Sequence, residues 1–341
     1  MSATELKKDV TQYARSLGFE RVGIASAEPL KREEAFLKQW IAEGRAGDMD
    51  YLEREPERRS RPTDLLPGAK SVIALAMCYA APQPSPEERG RQSSREAEGR
   101  IARYANGRDY HKVIGKKLEA FTRYLEALSS GVQYKTFVDT GPLLERAFAQ
   151  RAGLGFIGKN TMLITKGLGS WVFLANVVTT LDVPPDAPDD RSCGECRLCI
   201  DACPTQAITA PFTLDARRCI AYLTIEQEGP TDQELRGRTE GWIFGCDICQ
   251  EVCPHNARSS AGGATLPLAE ILAISDDDKF HARFAGTPLI RAGRRGLLRN
   301  ACLAAANLGR HDLVPQLEKL SRQDPHAVVR EQAAWALQRL R

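Results

Sequence analysis

CGECRLCIDACP, residues 193–204, decides how this chain is read. The spacing is Cys193-x2-Cys196-x2-Cys199-x3-Cys203-Pro204. This is the bacterial ferredoxin run, in which short gaps wrap three thiolates round one cubane and the fourth cysteine serves a second cluster. A second set stands downstream as Cys219, then Cys246-x2-Cys249-x3-Cys253-Pro254. The usual two-residue gap between its first two ligands has become 26 residues, 220–245. The crossing rule predicts one cluster on Cys193, Cys196, Cys199 and Cys253, and another on Cys219, Cys246, Cys249 and Cys203. Structural zinc is the alternative, since it also accepts four thiolates and often uses C-x2-C pairs. The x2-x2-x3 run followed by proline, seen nearly twice, favours two [4Fe–4S] clusters.

Eight of the ten cysteines lie between Cys193 and Cys253; Cys78 and Cys302, outside, are expected in the core. No secretory h-region stands in Met1 to Glu20, which predicts a cytoplasmic, reducing setting where clustered cysteines mean metal rather than disulfides. The longest nearly uncharged apolar run, 71–82, is too short to cross a bilayer. The 341 residues allow two or three domains, and 43% hydrophobic content with no low-complexity run excludes a disordered chain.

Upstream of the cysteines, helices alternate with strands. Helices are expected at 4–18, 33–44, 111–129 and 143–151, and strands at 19–25, 71–79, 133–138, 161–165 and 171–179. A polar, Pro- and Ser-rich stretch, 83–99, reads as a surface loop, and GLGFIGKN as a glycine-rich connection. The fold class is therefore an α/β or α+β domain over residues 1–182, a ferredoxin-like two-cluster domain over 183–258 opened by the linker DVPPDAPDD, and a helical domain over 259–341. In the last part, LRNACLAAANLG (298–309) resembles VREQAAWALQRL (329–340), with HDLVPQLEKLSR between them, a pattern of HEAT-like helical repeats. The formal charge of +3 hides an asymmetry. Residues 281–341 carry 11 Lys/Arg against 4 Asp/Glu, leaving −4 for the rest.

VDTGPLLERAFAQRAGLGFIGKNTMLIT (138–165) is the most informative stretch of the first domain. Asp139 ends a strand before a helix, where local physics favours an N-cap or turn role. Gly153, Gly155 and Gly158 permit close backbone approach without forming a dinucleotide fingerprint, and no Walker A loop, G-x-S-x-G or H-E-x-x-H occurs.

These segments, with LLPGAKSVIALA (65–76), RIARYANGRDYHKVI (100–114), GSWVFLANVVTT (169–180), RCIAYLTIE (218–226) and GWIFGCDICQEVCPHN (241–256), resemble the epoxyqueuosine reductase family over nearly the whole chain. The resemblance implies reduction of the epoxide of epoxyqueuosine, at the tRNA wobble position, to the alkene of queuosine. It implies cob(II)alamin (vitamin B12) against the N-terminal domain, close to one of two [4Fe–4S] clusters. It also implies Asp139 as the general acid, protonating the oxygen that leaves as water. A carboxylic acid in that role near neutral pH needs a raised pKa, which burial beside a corrin would supply. By the same resemblance Arg59, Lys159, Asn160, Ser170 and Trp171 contact the corrin, and Ala221, Leu223 and Asp247 lie between a cluster and the cobalamin. Ala102 stands where some relatives carry a cysteine, and Ala221 where others have serine, so no protein ligand to cobalt is predicted; His111 and His255 are expected to be structural. Arg291, Arg294, Arg295 and Arg299, in the +7 module, are the expected tRNA contacts. A low-potential donor such as a ferredoxin or flavodoxin completes the partners, with no membrane and a monomeric state. The competing readings are another corrinoid reductase of the reductive-dehalogenase kind, and a ferredoxin-type electron carrier without catalysis.

Overall fold

Apolar runs rich in β-branched residues form the centre of the N-terminal half. In the computed structural model, which describes residues 2–79, 98–256 and 263–341, four strands make one sheet. They are Arg21–Ser26 (β1), Ser71–Cys78 (β2), Tyr134–Phe137 (β3) and Val172–Thr179 (β4). Their order is β1-β2-β4-β3 and every neighbouring pair is antiparallel. That resolves the two expected classes in favour of α+β.

β2 reads as a continuous apolar run because both its faces are covered. Ile73 and Leu75 point to one side, against Val10 and Ala14 of helix Ala3–Ser16 (α1) and Ile114, Leu118, Phe121 and Leu125 of helix Tyr110–Leu128 (α3). Val72, Ala74 and Ala76 point to the other, against Phe148 and Ala149 of helix Glu145–Arg151 (α4). Helix Lys31–Ala42 (α2) precedes β2. The alternation is that of a strand, and each buried Leu, Ile or Phe contributes about 1.5–3 kcal/mol. The helix at the N-terminus opens on a capping box formed by Ser2 and Glu5.

Two expectations change. GLGFIGKN is not simply a connection: Gly155–Ile157 is a short strand paired with Leu163–Thr165. A Cβ on Gly155 would stand 2.2 Å from the Ile164 carbonyl oxygen, so this pairing depends on glycine. Residues 99–101, in no expected element, pair with Trp242–Phe244 and with Ala264–Leu266. The expected loop 83–99 lies, up to residue 97, outside the described residues.

The C-terminal part contains helices Gly293–Asn307 (α6), Val314–Gln323 (α7) and Ala327–Leu340 (α8), all packed together; the six-residue helix Ile220–Ile225 (α5) precedes them in the cysteine region. α6 is buried almost all round, as a central helix must be. Its core includes Leu297, Leu298 and Cys302 together with Ile101, Ala105, Ile243 and Phe244. One hydrophobic core therefore crosses both boundaries drawn at 182 and 258. Among the described residues, no helix is long and apolar enough to cross a membrane.

Candidate active site and cysteine centre

Short turns aim the cysteines inward. Cys193, Cys196, Cys199 and Cys253 line one cavity with Lys159, Asn160 and His255. Cys199 is close enough to Cys193, Cys253 and Cys196 to feel each as a charge. Cys249 stands in the same relation to Cys219, Cys199 and Cys203, in that order; Cys246 stands so to Cys219 and Cys249. Cys193, Cys196, Cys199 and Cys253 thus share one cavity, and Cys203, Cys219, Cys246 and Cys249 adjoin it, with Cys199 and Cys249 neighbours across the two groups. Burial is the main cause that pushes the thiols of Cys199, Cys219, Cys246, Cys249 and Cys253 up, with neighbouring thiols adding to it. Metal coordination reverses such a shift by removing the proton outright.

Backbone amides point at the sulfurs. The Lys159 N–H donates to Cys193 Sγ at 3.4 Å, and that of Ala207 to Cys203 Sγ at 3.3 Å. Among the described residues, no three His, Cys, Asp or Glu side chains are gathered as ligands of one metal ion. Cys302 is fully buried in the C-terminal core, and Cys78 closes β2.

The carboxylate site lies beyond the second cysteine set. Asp139 follows β3 with φ +60°, a left-handed conformation that costs a non-glycine residue free energy and concentrates at functional sites. Its backbone N–H donates to Glu145 Oε2 at 3.1 Å. Its Oδ2 accepts from the Tyr110 hydroxyl at 2.6 Å and from Arg291 Nη1 at 3.1 Å, with His111 Nε2 3.8 Å away. Arg291 Nη2 donates to Glu226 Oε1 at 3.2 Å. Glu226 caps the C-terminal end of α5, which follows Cys219 directly. A helix that short is only about 9 Å long, so it bridges Cys219 and the Glu226–Arg291–Asp139 chain. Burial pushes the Glu145 carboxyl up to about 8.

An aromatic wall extends from this point. The Tyr110 ring stacks on Phe173 and His111, Tyr79 packs on Phe173 and edge-on to Trp171, and the Arg103 guanidinium lies 4.2 Å from the Trp171 ring centroid. Along the wall and beside Tyr51, the buried atoms Arg59 Nε, Arg103 Nε and Nη1, His111 Nε2 and Trp171 Nε1 have no hydrogen bond. Orphaned donors on an apolar wall call for a large ligand with a polar, acceptor-bearing periphery. Asp247 is buried and accepts from the Arg103 N–H at 2.8 Å, and burial pushes its carboxyl up to about 6.

The other expected contacts divide. Arg59 is beside the acid: its carbonyl accepts from the Leu144 N–H and its guanidinium donates to the Tyr51 carbonyl. Lys159 Nζ instead donates to the Gly194 carbonyl, and Asn160 Nδ2 to that of Cys249. Ser170 is taken up by Gln250 and Asn256. These three bind the first domain to the cysteine loops. Gly169 serves the same junction, because a Cβ there would lie 1.8 Å from Asn256 Oδ1. Ala221 and Leu223 lie on α5, Leu223 buried with Cys219.

Two of the expected tRNA contacts are corrected. Arg294 is buried, donating to the Ile274 carbonyl and to Asp324 Oδ2 at 2.5 Å. Arg299 is 1% exposed and donates to the carbonyls of Leu223, Gln227 and Gly229. Both spend their donors inside the protein and present none to a phosphate. Arg291 faces Asp139, and Arg295 lies at the surface near Glu228. Sequence reasoning missed Tyr110, Arg103, Glu145, Glu226 and Tyr51; the DYH of RIARYANGRDYHKVI was the available signal for the first.

The fold and site define an iron–sulfur protein whose cysteine module adjoins a separate carboxylate site at Asp139. Comparisons give the particular family. Residues 59–140 match the family model described as epoxyqueuosine reductase QueG, DUF1730, and residues 192–256 match the 4Fe-4S double cluster binding domain. Curated epoxyqueuosine reductases of Xanthomonas campestris pv. campestris and Pseudomonas aeruginosa are 41% and 40% identical, each over 98% of this chain and covering 96% and 94% of their own lengths. A crystal structure of epoxyqueuosine reductase with a tRNA-Tyr epoxyqueuosine-modified stem loop superposes with TM-score 0.90 at 33% identity, over 99% of this chain and 91% of that one. The chain belongs to the epoxyqueuosine reductase family.

Proposed function

We propose that this chain reduces the epoxide of epoxyqueuosine in tRNA to the alkene of queuosine. The reaction breaks both C–O bonds, forms C=C and releases the oxygen as water, consuming two electrons and two protons. The observation that carries this reading is the continuity of the site: α5 begins after a cluster cysteine and ends on the Glu226–Arg291–Asp139 chain.

The two cysteine sets hold two [4Fe–4S] clusters, which deliver electrons at low potential from a ferredoxin or flavodoxin. Cobalamin fits the aromatic wall, where Arg59, Arg103 and Trp171 offer unpaired donors to its peripheral amides. When bound, it would supply a reducing cobalt centre. The protein's own residues handle the proton. Tyr110 and Arg291 occupy Asp139 Oδ2, leaving Oδ1 to carry the proton toward the departing oxygen. The three C-terminal helices form a HEAT-like repeat, and Arg295 stands on its exposed side as a phosphate contact for tRNA.

Anaerobic reconstitution tests the cofactor set. About eight irons per chain are expected for two cubanes, together with stoichiometric cobalamin absorbance. About four irons, or clusters without cobalamin uptake, would favour the electron-carrier reading instead.

A further inference from the structure

Asp139 has a strained backbone and a half-exposed side chain, on a segment outside regular structure. Such a carboxylate keeps one orientation only if its neighbours impose it. α3 contributes Tyr110 and, at longer range, His111; α4 contributes the Glu145 carboxyl, which holds only the backbone N–H. Nearer the surface, Tyr51 and Arg59 share the same electrostatic neighbourhood. The remaining tether comes from 152 residues away: Arg291, on the turn Pro288–Ala292 that leads into α6. Its two arms are divided between Asp139 and Glu226, so the guanidinium plane is fixed at both ends.

We infer that Arg291 is a positioning residue for the acid, holding Asp139 Oδ2 so that Oδ1 faces the reacting oxygen, with Glu226 fixing Arg291 in turn. The inference rests on Asp139 as proton donor. It gives the C-terminal helical module a direct hand in the chemistry. Whatever displaces the Pro288–Ala292 turn moves the acid as well, because no other described side chain of that module bonds Asp139. It also separates Arg291 from Arg295, four residues on, which points away from the acid and toward Glu228 at the surface.

The test uses holoenzyme with both clusters and cobalamin loaded, and tRNA bearing epoxyqueuosine as substrate. Arg291→Gln is expected to lower kcat by about 10- to 100-fold, the scale of a misplaced catalytic group, while the tRNA Kd changes less than twofold. Arg291→Lys is expected to recover part of that loss, since it restores one charge but not the fork. Glu226→Gln is expected to lower kcat several-fold alone and to add nothing in the Arg291→Gln background. Iron content, cobalamin uptake and thermal midpoint in each variant guard against a folding artefact. A rise in tRNA Kd with kcat at saturation unchanged would make Arg291 a substrate contact and overturn the proposal. Full additivity of the two variants, or wild-type kcat in Arg291→Gln, would overturn it too. Absence of queuosine from fully loaded wild type would instead reject the reaction itself, which keeps the two failures distinct.

Discussion

The cysteine module and the acid pocket adjoin each other but are built by opposite means. The module is written in short gaps: seven of its eight cysteines lie in two local runs, and only Cys219 stands apart. The carboxylate site is gathered from the segment after β3, α3, α5 and the turn before α6, so that the Asp139 carboxylate receives groups from residues 110 and 291. A motif set by local spacing depends first on its own cysteines, with the first domain bracing its loops through Lys159, Asn160 and Ser170. A pocket assembled by tertiary contacts depends on every element that delivers a group. The two regions therefore fail differently.

The largest effect is expected within the module. Cys249→Ser removes a ligand from the inner cysteine set and leaves a buried hydroxyl among thiols. It is expected to halve iron content and abolish turnover; retention of full iron and activity would break the assignment of the two sets.

The pocket's dependence on remote packing is tested at Arg294. Its ion pair with Asp324 is 3% and 0% exposed by side chain, so Arg294→Met leaves a buried carboxylate without its charged partner. A loss on the order of 3–5 kcal/mol is expected in chemical denaturation, with Asp324→Asn in the same background recovering part of it. Stability unchanged in Arg294→Met would return this residue to the surface.

Glu145 sharpens the comparison through pH. Its carboxyl is ordinary when unfolded, near 4.5, and is pushed up to about 8 by burial in the native state. The native state therefore binds the proton more tightly, and ionising it opposes folding. The sign is that stability falls as pH rises from about 4.5 toward 8, and is recovered below that window. In Glu145→Gln the fall is expected to be shallower over the same range. Parallel melting curves against pH in the two proteins would contradict a Glu145 held neutral in the native state.

The smallest effect is expected at the surface. Arg295→Gln should weaken tRNA binding about uniformly and reduce the slope of log K against log salt by about 1, as for loss of one phosphate contact. An unchanged slope would remove Arg295 from the interface.

The legibility of the sequence follows the same division. The cysteine runs, the covered strand β2 and the amphipathic α3 are readable because each depends on period or spacing within one segment. The C-terminal arginines misled for a physical reason: net charge counts a guanidinium wherever it lies, and Arg294 and Arg299 are consumed by internal carbonyls and a carboxylate. Arg291 is expected as a tRNA contact from its charge, but its partner is 152 residues away, beyond any local pattern. The strand at 99–101 was missed because its partners, 242–244 and 264–266, come from two later parts of the chain. Asp139 showed only a turn signal in isolation, and its positive φ became informative only once its neighbours were in place.

Turnover measures the central claim most directly. Wild-type protein, reconstituted with both clusters and cobalamin and supplied with a strong reductant, is incubated with epoxyqueuosine-containing tRNA, which is then digested to nucleosides. Wild type is expected to yield queuosine, and Asp139→Asn to yield none while retaining iron and cobalamin. Queuosine formed at the wild-type rate by Asp139→Asn, or none formed by fully loaded wild type, would contradict the account.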